Sequence, residues 1–152
     1  MRPLAALLLI ACQSSGTPDD TGADDTDAPQ RPRARLLDRV EREFAEYSGW
    51  EQIPGWEGMQ PSQVGIHGQK VAIYYNDAAM GDLTGEADGA SSFKEVFGSN
   101  DNLATVHVMT FDEAYGWFYA VLSPEGVVDE AGRLTGCVGC HESGGRSGFL
   151  AP

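Results

Sequence analysis

The pattern of apolar and polar positions divides the chain into stretches of different period. Residues 35–48 read RLLDRVEREFAEYS, and Leu36, Leu37, Val40, Phe44 and Tyr47 recur at helical spacing with charges between them. That spacing predicts an amphipathic helix packed by one face. From Gly49 to Gly68 the pattern is interrupted by Pro54, Gly55, Gly58, Pro61 and Gly65. This predicts an ordered loop, with Trp50 and Trp56 as packing anchors. Beyond it the composition becomes that of strands. Lys70–Tyr75 (KVAIYY) is one, ended by Asn76 and Asp77, after which a short turn or helix runs to Asp82. A Gly- and acid-rich stretch, 81–90, leads into Ser92–Phe97; Leu103–Phe111 is the clearest strand, and Tyr115–Leu122 follows after a short turn. Ser123-Pro124-Glu125-Gly126 closes a hairpin, because Pro pre-sets turn geometry and Gly tolerates positive φ. Val127 and Val128 open another extended segment. The expected class is α+β: an N-terminal helix, an antiparallel β-sheet and a C-terminal segment holding a cysteine motif.

The first residues differ in kind. MRPLAALLLIAC has one cation, Arg2, then a short apolar run from Leu4 to Ile10, then Cys12. The run is too short to span a bilayer. Leu9-Ile10-Ala11-Cys12 resembles a bacterial lipobox, which implies a signal peptide over 1–11 and a lipid on Cys12. Residues 13–34 contain five Asp among Ser, Gly, Thr and Pro, with no bulky apolar residue. Such a segment buries too little surface to offset its ordering entropy, so 12–34 is expected to be a lipid-anchored acidic tether. The folded domain is expected over 35–152. Export and anchoring to the cell envelope, at the outer membrane or periplasmic face, follow from the same reading.

Charge narrows the partners. With 23 Asp and Glu against 10 Lys and Arg, the formal net charge is -13. Nucleic-acid binding needs clustered cations to displace counterions from phosphates, and this chain lacks that balance. A basic redox partner or a small neutral or cationic substrate suits it better.

The chemistry is concentrated near the C-terminus. Cys137-Val138-Gly139-Cys140-His141 is the attachment pattern for c-type haem. Two cysteines three positions apart lie on one side of a helical turn, where both sulfurs reach haem vinyl groups. The adjacent histidine then presents its imidazole to the iron. One covalent haem c is therefore expected, held by Cys137, Cys140 and His141, with His141 as the metal ligand. A redox CxxC pair is the alternative, but such pairs open a long helix, whereas Gly144, Gly145 and Gly148 interrupt the chain here. Zinc would need further ligands, and only His67 and His107 are spare histidines. Candidates for the sixth iron position are Met59, Met80, Met109, His67 and His107. His107 and Met109 share one face of their strand, opposite Val106 and Val108. No methionine follows the motif, so an open distal position is expected.

The order of motifs over residues 65–150 resembles the cytochrome P-460 family and the related beta-sheet cytochromes c-prime. The matching features are Ile66-His67-Gly68 before KVAIYYNDAA, then the segment from Gly89 to Phe97 with Lys94-Glu95, the strand ATVHVM, the aromatic Trp117-Phe118-Tyr119-Ala120, the turn SPEG and the terminal GCVGCH. Departures are Ser91, Ser92 and Phe93 in place of aliphatic residues, and Ser147-Gly148-Phe149-Leu150 in place of an Asp-Tyr tail. The resemblance implies a sheet-rich homodimer with a five-coordinate iron. It implies oxidation of hydroxylamine or nitric oxide at that iron, with Lys94 bonded covalently to the porphyrin in the cross-linked type. Members without the cross-link bind diatomic gases.

Hydroxylamine oxidation releases protons, so an acceptor is needed. Asp129 and Glu130, just before the haem segment, are the candidates; Asp112 and Glu113 sit in a turn and are expected to be solvated. Phe93, Phe97, Phe118 and Tyr119 are candidates for a dry pocket wall or for core. Three functional expectations stand together: a P-460-like redox enzyme, a non-catalytic gas-binding protein, and a tethered electron-transfer cytochrome.

Overall fold

The computed structural model describes residues 30–62, 67–83 and 86–142. The segment expected to be a signal peptide and most of the expected tether, Cys12 among them, and the glycines after His141 lie outside the described residues.

The chain runs α1 (Gln30–Phe44), a 3-10 turn (Tyr47–Gly49), β1 (Gln60–Pro61), β2 (Lys70–Tyr75), α2 (Asp77–Gly81), β3 (Ser91–Phe97), β4 (Leu103–Asp112), β5 (Gly116–Leu122), β6 (Val128–Gly132) and α3 (Thr135–His141). The strands form one six-stranded sheet in chain order, each antiparallel to the next. The α+β class is therefore as the sequence pattern predicts. The helix, however, begins at Gln30 rather than Arg35 and so takes in the last residues assigned to the tether. Pro32 does not prevent this, because in the first turn its missing N–H has no intrahelical partner to lose. Arg33, one turn in, donates to the Ala131 carbonyl. Among the described residues, no helix is long and apolar enough to cross a membrane.

Local chemistry sets the strand ends. Asn76 closes β2 and caps α2: its side chain accepts from Ala79 N and Ser91 N, and donates to the Gly89 carbonyl. At the β5–β6 hairpin, Ser123 Oγ accepts from Glu125 N and Val127 N, while Gly126 takes φ +86°. A Cβ at Gly126 would fall 2.5 Å from the Phe44 ring, so glycine there also lets α1 approach.

Strand alternation gives the sheet two faces. One packs under α1: Phe93, Val106, Val108, Phe118, Ala120 and Leu122 meet Leu36, Val40 and Tyr47. Trp50 abuts Phe93 edge-on at 5.3 Å, in keeping with its expected packing role. Phe93 and Phe118 are thus core, and do not wall the cavity described below. Polar groups on this face find partners. Arg39 donates to Ser91 Oγ and the Gly89 carbonyl, Ser91 donates to Thr110 Oγ1, and Thr110 to the Ala90 carbonyl. Tyr47 and Tyr74 both donate to Glu95. Asp112, expected to be solvated, is instead 7 % exposed; it pairs with Arg35 at 2.6 Å and accepts from Ala114 N and Tyr115 N. The turn needs an acceptor for those amides, and α1 supplies the compensating cation. The opposite face packs Val71, Ile73, Tyr75, Met109, Trp117 and Tyr119 against α2 and α3.

Candidate functional site: a cavity between the sheet and the cysteine helix

The site is built on the face opposite α1, by one row of residues in register. Ile73 pairs with Lys94, Lys94 with His107, His107 with Val121, and Val121 with Glu130. Each is a directly opposite pair, so the row crosses five strands. Lys94 and His107, distant in sequence, become neighbours through this register.

Helix α3 lies over that row and carries the motif. Cys137 is half-buried, Cys140 exposed and His141 5 % exposed. Neither cysteine is in a disulfide. Between helix and sheet is a cavity of about 600 Å3 lined by Cys137, Cys140 and His141 from α3, by Arg133 and Leu134 from the preceding turn, and by His67, His107, Val121 and Glu130 from the opposite wall. Its size falls in the range of small-molecule and cofactor sites. An adjoining hollow of about 30 Å3 shares His67, His107 and His141 and adds Ser92, Lys94, Met109 and Tyr119.

The end of α3 is fastened to the sheet. Tyr119 donates to Glu142 Oε1 at 3.0 Å, and Arg133 pairs with Glu142 Oε2 at 2.6 Å. The Tyr119 and His141 ring centres are 5.9 Å apart. These contacts fix His141 against β5.

Burial lowers the basic groups of this wall below their ordinary values. Burial pushes His67 down to about 3, with Lys94, His107 and His141 adding to the effect. Burial also lowers His107, again helped by Lys94. Lys94 itself is lowered by burial, and among the described residues it has no carboxylate partner. Burial raises Cys137, helped by Glu130 and Cys140. That is opposite to the depressed thiol of a redox CxxC pair, and α3 is too short to resemble the long helix such a pair opens. Among the described residues, no group of three or more His, Cys, Asp or Glu side chains converges for a metal ion. A c-type haem asks for a different arrangement, two sulfurs and one imidazole bordering a single large cavity, and these residues fit it.

Cys137, Cys140 and His141 therefore lie together, and Lys94 joins them through the smaller hollow. Glu130 is exposed at the cavity edge; Asp129 is exposed and does not line it. Met59 is exposed on its loop, Met80 packs from α2, and Met109 lines the smaller hollow with His107, as strand alternation predicts. The pattern of residues did not point to the Tyr119–Glu142–Arg133 fastening. Its one signal was Glu142 following His141 directly, which places a carboxylate at the helix end. Comparison with known proteins adds no further relation: no family model, no curated protein and no solved structure matches this chain.

Proposed function

We propose that this chain is an exported, lipid-anchored c-type haem protein resembling cytochrome P-460, which oxidises hydroxylamine or nitric oxide at an open haem iron. The observation that carries the reading is the convergence of Cys137, Cys140 and His141 on one cavity of about 600 Å3. The haem, attached through the two cysteines, supplies a redox-active iron with His141 as its protein ligand. The chain's own residues do the rest. Tyr119, Glu142 and Arg133 hold His141 in place, Leu134 and Val121 exclude water, and Lys94 is the group for a covalent bond to the porphyrin. Glu130, at the cavity edge, is the carboxylate that would take a proton from the substrate; Asp129, its neighbour, does not line the cavity. Partners on this reading are a small nitrogenous or diatomic ligand, a basic redox protein drawn by the charge of -13, and a second copy of the chain.

A second reading, gas binding without turnover, is favoured by one observation. The wall facing α3 offers two neutral imidazoles and Val121, and its one carboxylate, Glu130, is exposed.

The test is production in an exporting host that matures cytochromes c, followed by a haem stain after denaturing electrophoresis and optical spectra. Covalent haem in the wild type, lost in Cys137→Ala/Cys140→Ala, is expected. A high-spin ferrous form with a red-shifted Soret band that disappears in Lys94→Met supports the enzyme; a high-spin form without that shift supports gas binding. A chain that acquires no covalent haem overturns both.

A further inference from the structure

Two histidines of the cavity wall are hydrogen-bonded in series. Gly68 has φ +76°, and a Cβ there would meet Val96 Cγ1 at 2.9 Å and the Phe97 carbonyl at 3.0 Å. The chain is thereby pressed onto the end of β3, and His67 enters the cavity immediately before this point. His67 Nδ1 and His107 Nδ1 share a hydrogen bond of 3.1 Å, and His107 Nε2 lies 3.2 Å from Thr105 Oγ1. His107 is thus engaged at both nitrogens. Nε2 of His67 is the ring nitrogen the series leaves over.

The series has two proton orders. If Thr105 donates to His107, then His107 Nδ1 donates to His67, and His67 Nε2 carries a hydrogen to offer. If His107 donates to Thr105, then His67 Nδ1 donates to His107, and His67 Nε2 becomes an acceptor. The two orders differ only in tautomer, with no change in net charge. The His67 ring centre is 6.4 Å from that of His141, too far for a direct hydrogen bond, and both rings border the same cavity. His67 and His107 belong to the wall that α3 does not supply.

We infer that His67, steered by His107 and Thr105, is the residue that would hydrogen-bond a small ligand held in this cavity by the haem iron. As a donor it suits a diatomic ligand with lone pairs; as an acceptor it suits a nitrogenous ligand with N–H or O–H groups. This role rests on the haem reading above, and it is a positioning role for the ligand.

The experiment uses the full-length matured protein, ferrous, under carbon monoxide, with covalent haem verified as the pyridine haemochrome in each variant. The infrared C–O stretch and the carbon monoxide dissociation rate are compared in wild type, His67→Leu, His67→Gln, His107→Leu and Thr105→Val. In His67→Leu the stretch rises and dissociation speeds roughly tenfold, the loss of about one hydrogen bond. His67→Gln, which keeps a donor, restores part of both; His107→Leu is intermediate and Thr105→Val smallest. Covalent haem with both readouts unchanged in His67→Leu overturns the role alone. So does a shift only in the iron–histidine stretch, which would put the series on the His141 side. So does a wild-type six-coordinate ferric spectrum that turns high-spin in His67→Leu, which would make His67 an iron ligand. A wild-type chain without covalent haem overturns the role and the haem reading together.

Discussion

Under α1, the sheet presents Phe93, Val106, Val108, Phe118, Ala120 and Leu122, each no more than 1 % exposed, against one stripe of a helix. On the other face, the same strands present Lys94, His107, Val121 and Glu130 across one row, with a cavity of about 600 Å3 above part of it. The first face buries large side chains and links most of its polar groups by hydrogen bonds. The second holds a half-buried lysine and two half-buried histidines with their charged forms disfavoured. Burying such groups costs stability unless they are paired. The first face carries the close packing of large side chains, and the second leaves a cavity over part of its row.

The sharpest way to break that contrast is truncation in the α1 core. Phe93→Ala is expected to cost about 3–5 kcal/mol in chemical denaturation, since the ring stacks on Tyr47 at 4.8 Å and cannot be replaced. A cost under about 1 kcal/mol would mean that the α1 face does not carry the fold. Gly68→Ala comes next. It places a residue with a side chain at φ +76° against Val96 and the Phe97 backbone, with an expected loss of about 2 kcal/mol or more. A neutral result would show that the chain beside His67 is free to shift.

Tyr47→Phe removes one of the two hydroxyls that serve Glu95, for an expected loss of about 1–3 kcal/mol at neutral pH. Its pH dependence is a separate readout. Burial, helped by Glu95, holds Tyr47 well above the ordinary tyrosine value, and burial pushes Tyr75 up to about 12. Unfolded tyrosines ionise near pH 10, so the unfolded chain loses protons first. The stabilisation is complete below about pH 10 and is lost as pH rises through about 12. Tyr47→Phe should therefore show a shallower alkaline loss than wild type, and parallel curves would count against burial of that hydroxyl. The smallest effect is expected on the other face. In the haem-free chain, Lys94→Met should change stability by no more than about 1 kcal/mol, and in the stabilising direction, because a half-buried ammonium without a carboxylate partner is replaced by an apolar chain of similar reach. A loss of about 2 kcal/mol would instead make Lys94 part of the structural core.

Much of the α1 face was legible in the pattern. Leu36, Val40 and Tyr47 fell at helical spacing, and Val106 and Val108 alternated against His107 and Met109, because one buried face imposes one period. The start of α1 was less legible: Pro32 and the arginines around it look like tether until Arg33 finds the Ala131 carbonyl and Arg35 finds Asp112. Asp112 looked like a solvated turn acid for the same reason, since nothing local announces a partner 77 residues away. Of the site, Cys137, Cys140 and His141 were legible as a unit because their spacing within a helical turn is itself the chemistry. The nearness of Lys94, His107 and His67 was not.

The sequence alone determined the periods of the elements, and hence the class of fold and which side chains share a strand face, because these follow from local backbone geometry. It also determined that two thiols and an imidazole stand together on α3. Only the tertiary structure decided which strand residues lie beneath that helix. Register across β2 to β6 is set by turns and by burial of the opposite face, and it is this register that brings Lys94 beside His107. The His67–His107–Thr105 series likewise depends on a glycine pressed against a neighbouring strand, a contact made only once the sheet has formed.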